Sequence, residues 1–185
     1  MNERLIEGLD HILDSIEYSI KNLKCESIED TVDIITSSKN VFVYGSGRSG
    51  LVGRSFAMRL MQLGLDSYFI GETITPAVKP GDCVFIVSKT GETQTAIQTA
   101  EIVKNRVKNS EVIVLTASPD STLASLADTM IILESHDDSL NHKLAPLGTI
   151  FEDTAMIFLD GLIAVLMEEL DETEEDIKDR HPILV

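Results

Sequence analysis

Apolar residues recur every three or four positions through Leu5, Ile6, Leu9, Ile12, Leu13, Ile16, Ile20 and Leu23, which predicts an amphipathic helix early in the chain. A shorter helix is expected over residues 27–37, opening on the Ser27-x-x-Asp30 pattern of a capping box. The pattern then changes period. Val41-Phe42-Val43-Tyr44 is an unbroken apolar run closed by Gly45, which reads as a buried strand ending in a glycine turn. From there strands and helices alternate: a helix over residues 49–63, strands over 67–70 and 83–87, a helix over 93–107, a strand over 112–115, a short helix over 121–126 and a strand over 130–133. A long apolar helix over residues 151–170 follows, and residues 174–178 add a last turn or two.

Short strands separated by helices indicate an α/β fold in which a parallel sheet carries helices on both faces. Two similar halves are visible, each a strand, a turn rich in Gly and Ser/Thr, and a helix. Residues 71–81 between them contain Pro76 and Pro80 and read as a connecting loop, and the polar stretch 134–148 reads as a flexible loop near a site. No repeat, low-complexity segment or second domain interrupts the pattern. Residues 1–185 are therefore expected to form one domain, with a helical segment over about 1–38 and a helix and tail over about 172–185.

Composition narrows the partners. A length of 185 residues with 43% hydrophobic and 25% charged positions suits one globular unit with a sizeable core. The formal net charge of −16 excludes the basic footprint that nucleic acid or an anionic membrane surface requires. It does not exclude a small phosphorylated molecule, which a few N–H groups and one or two cations can hold. Much of the acid lies in Glu168, Glu169, Asp171, Glu172, Glu174, Glu175 and Asp176, a run expected on a solvated helical face. The two cysteines, Cys25 and Cys83, form neither a C-x-x-C pair nor a metal-ligand set, which fits a reducing cytoplasm. No leader pattern is present at Met1-Asn2-Glu3-Arg4. The apolar stretch over 156–167, interrupted by Asp160, is too short to span a bilayer.

Two loops carry the chemistry. Gly45-Ser46-Gly47-Arg48-Ser49-Gly50 lies between a strand and a helix, where the first N–H groups of the helix point outward as an anion cradle. Its spelling also satisfies the dinucleotide fingerprint, with Glu72 after the next strand where a ribose-binding acid would stand. Against that reading, Arg48 and two hydroxyls favour a compact phosphate. The glycines can also serve only to turn a strand into a helix. Ser88-Lys89-Thr90-Gly91-Glu92-Thr93 occupies the corresponding place after the third strand. Its hydroxyls can surround phosphate oxygens, or simply cap a helix. In an open parallel sheet both loops would lie at the ligand-binding, carboxyl ends of the strands.

The ordered set of Gly-Ser-Gly-Arg-Ser, Phe56-Ala57-Met58-Arg59-Leu60, Gly71-Glu72-Thr73 with Pro76, Ser-Lys-Thr-Gly-Glu-Thr, Gly148-Thr149 with Phe151-Glu152, and Arg180-His181 resembles the sugar isomerase (SIS) domain family. Within it, the chain is similar over nearly its whole length to the 6-phospho-3-hexuloisomerases. The resemblance implies a three-layer α–β–α sandwich with a five-stranded parallel sheet of flavodoxin- or Rossmann-like type. It also implies a homo-oligomer, commonly a tetramer, and a reaction between D-arabino-3-hexulose 6-phosphate and fructose 6-phosphate that uses no metal or organic cofactor. Ser46, Gly47, Arg48 and Ser49 would contribute the first part of the substrate site, and Ser88, Lys89, Thr90, Gly91, Glu92 and Thr93 the second. Lys89 stands where many SIS loops have a small residue, and Thr90 where they have Ser.

Moving a carbonyl from C3 to C2 requires a base that removes the C2 proton and returns one to C3. Glu152 matches the family's catalytic glutamate, although a helix dipole would also favour an acid there. His181 is the second candidate, shuttling protons between O2 and O3 or assisting ring opening, and related isomerases can take such a histidine from a neighbouring subunit; a histidine beside Pro182 can equally be a surface residue. His11 is expected to be structural, His136 and His142 lie in the polar loop, and Arg59, inside a helix, is expected to pair or face an interface. The nearest rival is an isomerase of another sugar phosphate, and a sensor module without catalysis is the rival of a different class.

Overall fold

The computed structural model describes residues 2–134 and 139–182. Its elements are α1 (Asn2–Lys21), α2 (Cys25–Ser37), β1 (Val41–Gly45), α3 (Gly47–Gln62), β2 (Ser67–Phe69), β3 (Cys83–Val87), α4 (Gln94–Arg106), β4 (Glu111–Thr116), a 3₁₀ turn (Ala124–Leu126), β5 (Thr129–Ile132), α5 (Asn141–Leu144), α6 (Thr149–Glu169) and α7 (Glu174–Asp179). The five strands form one all-parallel sheet in the order β2-β1-β3-β4-β5. Every residue of β3 is buried, as its central place demands, and this explains why its sequence is unbroken by polar residues.

Side chains alternate between two cores. Val41, Val43, Phe85, Val87, Ile113 and Leu115 face α2, α3 and α6, whereas Phe42, Val84, Ile86, Val112 and Val114 face α4 and Leu123. Phe56 of α3 meets Phe85 with ring centroids 5.0 Å apart, and both are almost wholly buried. Burial of one such ring contributes about 1.5–3 kcal/mol. In α6, Phe151, Ala155, Phe158, Leu159, Leu162, Ile163 and Leu166 are buried, and Asp160 faces out.

Local signals moved at several boundaries. α2 begins at Cys25, because the extended backbone that a cap position needs falls at Lys24 (φ −94°, ψ 116°). Ser27 is thus already inside the first turn and caps nothing. A capping box does form at α7, where the Asp176 carboxylate accepts from Thr173 N–H at 2.8 Å and the Thr173 hydroxyl accepts from Asp176 N–H. α3 starts at Gly47, two residues before the expected position, and the expected helix over 121–126 contracts to one 3₁₀ turn. α5 lies inside the stretch that the sequence marked as irregular. The apolar stripe of α1 is mostly uncovered: Leu5, Leu9 and Leu13 remain 62%, 47% and 60% exposed. The buried residues of α1 are Ser15, Ile16 and Ser19. Small side chains let it lie close to α6 and to the segment after β5, and the Ser19 hydroxyl bonds the Glu134 carbonyl.

Candidate active site

β1 has β2 on one side and β3 on the other, so the chain reverses direction across the sheet between β1 and β3. A crevice opens at the carboxyl ends of these strands. The Gly45–Gly50 loop forms one side. A Cβ at Gly45 would strike the backbone of Ser49 and Gly50, so glycine there allows the strand to run directly into the first turn of α3. Gly47 takes a left-handed backbone (φ 57°) that glycine adopts without strain. The early helix start places Ser49 in the first turn, buried, with its Oγ donating to Glu152 Oε1 at 2.9 Å.

Glu152 enters from the first turn of α6 and is 7% exposed. Its Oε2 is buried with no hydrogen-bond partner among the described residues, and Arg48 Nε approaches it at 3.6 Å. Arg48 also reaches Asp153, with Nη2 3.2 Å from Oδ1. A buried carboxylate needs compensation of this kind, because desolvation of an unpaired charge costs several kcal/mol. Gly148 is the other neighbour: a methyl group there would run into the Glu152 carboxylate.

The opposite wall is the loop after β3. Ser88 is buried and its Oγ, like Glu152 Oε2, lacks a partner among the described residues. Ser88, Lys89, Thr90 and Thr93 line a pocket of about 360 Å³ together with Ser46, Ser49, Leu147, Gly148 and Glu152. Glu152 and Ser88, each with a buried polar atom that lacks a hydrogen-bond partner among the described residues, thus line one cavity, next to the first turns of α3 and α4. That is the donor-rich setting an anionic polyol would fit. Lys89 Nζ donates to the Leu147 carbonyl at 3.2 Å. Among the described residues, no three His, Cys, Asp or Glu side chains converge as a metal site would need.

Not every expected residue reaches the pocket. Arg48 lies on the far side of Glu152, lining a smaller cavity of about 180 Å³ with Leu51, Val52, Asp153 and Met156. Glu92 turns away from the pocket and accepts from Thr122 N–H at 2.7 Å and from Thr122 Oγ1 at 2.9 Å, bonds that hold its carboxyl below the usual carboxylate range. It braces the loop against the 3₁₀ turn. Gly91 packs against Ser121, whose side chain a Cβ would strike. Glu72 is paired with Arg54, which also stacks over Phe69, so the acid that a ribose would need is already engaged. His11 is 2.7 Å from Asn141 Oδ1 and ties α1 to α5. Arg59 bonds the Gln62 side chain, His142 is exposed, and His136 lies outside the described residues.

His181 is exposed, with Nδ1 3.1 Å from the Pro182 carbonyl. The adjacent Arg180 bonds the Gln62 carbonyl at 3.2 Å and grips Glu172 through two nitrogens at 2.7 and 2.9 Å. Gln62 ends α3, whose 16 residues span about 24 Å, and the pocket is at the other end of that helix. The fold therefore separates His181 from the pocket of its own chain.

Leu147 went unnoticed in the sequence. It stands at the pocket mouth with a left-handed backbone (φ 60°) and a side chain 93% exposed. For a leucine this conformation costs about 1–2 kcal/mol. The available signal was the Pro146-Leu147-Gly148 turn before a helix.

The SIS domain family matches residues 34–159, a span that contains both loops and Glu152. The chain belongs to the SIS domain family. It is 40% identical to the 3-hexulose-6-phosphate isomerase of Methanocaldococcus jannaschii over 83% of this chain and 82% of that one. It is 37% identical to the Bacillus subtilis protein of the same name, over 88% and 89%. A solved Methanococcus jannaschii structure, from which a molecular function of 3-hexulose-6-phosphate isomerase was inferred, superposes with a TM-score of 0.86 at 36% identity. It covers 97% of this chain and 99% of that one. The five-stranded parallel sheet of this SIS domain is the architecture that its motifs implied.

Proposed function

We propose that this SIS domain is a sugar-phosphate isomerase that interconverts D-arabino-3-hexulose 6-phosphate and fructose 6-phosphate. The observation that carries the reading is Glu152, a buried carboxylate that lines the same pocket as the hydroxyl-rich loop after β3. The hydroxyls of Ser88, Thr90 and Thr93, with the first N–H groups of α4, hold the phosphate. The sugar chain then extends toward Glu152, which takes the C2 proton and returns a proton to C3 through an enediolate. Ser49 orients the carboxylate through Oε1. Arg48 lies 3.6 Å from the carboxylate and also pairs with Asp153. The names of relatives that match most of the chain support the same substrate.

The protein works as a homo-oligomer in the cytoplasm. His181 serves the pocket of a second copy, where it moves a proton between O2 and O3, because its own pocket lies at the opposite end of α3. The test is turnover of the hexulose phosphate, generated in place and followed through fructose 6-phosphate formation. Wild-type protein should be active and folded Glu152→Gln should lose about 10²–10⁴-fold in kcat. Wild-type protein that binds fructose 6-phosphate without converting the hexulose phosphate would overturn the assignment.

A further inference from the structure

Two groups on opposite walls of the pocket rest on the same piece of backbone. The Leu147–Gly148 corner turns the chain into α6. Lys89 Nζ reaches its carbonyl from the other loop at 3.2 Å, and the Glu152 carboxylate sits against Gly148 with no room for a methyl between them. The root of Lys89 is held as well: its carbonyl accepts from Ala117 N–H at 3.0 Å, Thr116 Oγ1 at 3.0 Å and Ser118 Oγ at 3.3 Å. Lys89 is thus a strut from the end of β4 to the corner. The Leu147 side chain, 93% exposed, gains nothing by burial from its left-handed backbone, so packing of that side chain does not explain the conformation. What the conformation presents to the pocket is the carbonyl that Lys89 holds.

We propose that Lys89 is a positioning residue for Glu152. By holding the Leu147 carbonyl across the pocket mouth, it fixes the seat on which the carboxylate rests and ties that seat to the loop whose hydroxyls face the substrate. This role rests on the reading of Glu152 as the proton-transfer group. It differs from that of a simple phosphate ligand in what its loss would remove: a ligand supplies affinity, a strut supplies geometry at the reacting carbons.

The experiment compares wild type, Lys89→Met and Lys89→Arg in the full chain. It measures kcat and KM with the hexulose phosphate, the affinity for fructose 6-phosphate by calorimetry, and amide hydrogen exchange over residues 147–152. Lys89→Met should lower kcat by about tenfold or more while the affinity stays within about threefold of wild type. Exchange over 147–152 should quicken in Lys89→Met, and Lys89→Arg, which can still donate to the carbonyl, should restore both. Unchanged kcat and exchange with weakened affinity would overturn the strut and leave Lys89 a phosphate ligand. If wild type shows no turnover, the isomerase reading fails by itself. Exchange still decides the corner, quickened in Lys89→Met if the strut exists and unchanged if it does not.

Discussion

Glu152 shows how a carboxylate is kept usable inside a protein. Ser49 satisfies one oxygen, and Arg48 supplies a positive charge 3.6 Å from the other, which has no hydrogen-bond partner among the described residues. Two neighbours of the carboxylate have little freedom. Ser49 is in the first turn of a helix, and Gly148 is a residue whose missing side chain makes the seat. A methyl at Gly148 would push the carboxylate off its position, so Gly148→Ala should reduce turnover by on the order of 10²-fold, the scale expected for a displaced catalytic group. Circular dichroism and the melting transition would check that the variant folds, and near-normal kcat would show that the seat is unimportant. Ser49 and Ser88 are candidates in the sequence because each lies in a glycine- or hydroxyl-marked turn beside a strong element, whereas Glu152 is singled out by the family resemblance. Leu147 leaves no mark in composition or periodicity, and its one signal is the Pro146-Leu147-Gly148 turn before a helix.

At the scale of elements, the site is a set of helix beginnings held in register by loops that brace one another. The Glu92–Thr122 pair is one brace, joining the loop after β3 to the 3₁₀ turn before β5. Because the folded protein holds the Glu92 carboxyl below its ordinary value of 4.5, the brace is at full strength above that value. It is lost as pH falls through the lower, folded value. Glu92→Ala should therefore weaken the rise in melting temperature that fructose 6-phosphate produces at neutral pH. The wild-type protein should approach the variant's behaviour as the solution is acidified below pH 4.5. Equal ligand-induced shifts in the two proteins at neutral pH would show that the brace does not shape the site. The sequence suggested Glu92 as a substrate ligand. The structure turns it outward because Thr122, thirty positions away, offers both an N–H and a hydroxyl.

For the whole molecule, the uncovered faces are as informative as the core. Leu5, Leu9 and Leu13 of α1 stay open to solvent, and Ile20, Leu23, Ile157, Leu162 and Val165 line an apolar groove of about 320 Å³ between α1 and α6. In the homo-oligomer proposed above, this surface is available for a second copy, whose pocket His181 would serve. Replacing Leu9 and Leu13 with Asp should shift the protein to a smaller species by sedimentation velocity, with activity falling in proportion if His181 acts across the interface. A monomeric wild type, or a fully active dissociated variant, would remove that role. The sequence by itself determined the alternation of strands and helices, the parallel sheet and the two loops at its carboxyl edge, because these follow from periodicity, glycine turns and helix starts that act over a few residues. Only the tertiary structure decided that Arg48 backs Glu152 from the far side, that Lys89 spans to Leu147, that Glu92 turns outward and that His181 is remote from its own pocket. Those outcomes depend on which surfaces meet after the sheet is assembled, between residues dozens of positions apart, and no local pattern encodes them.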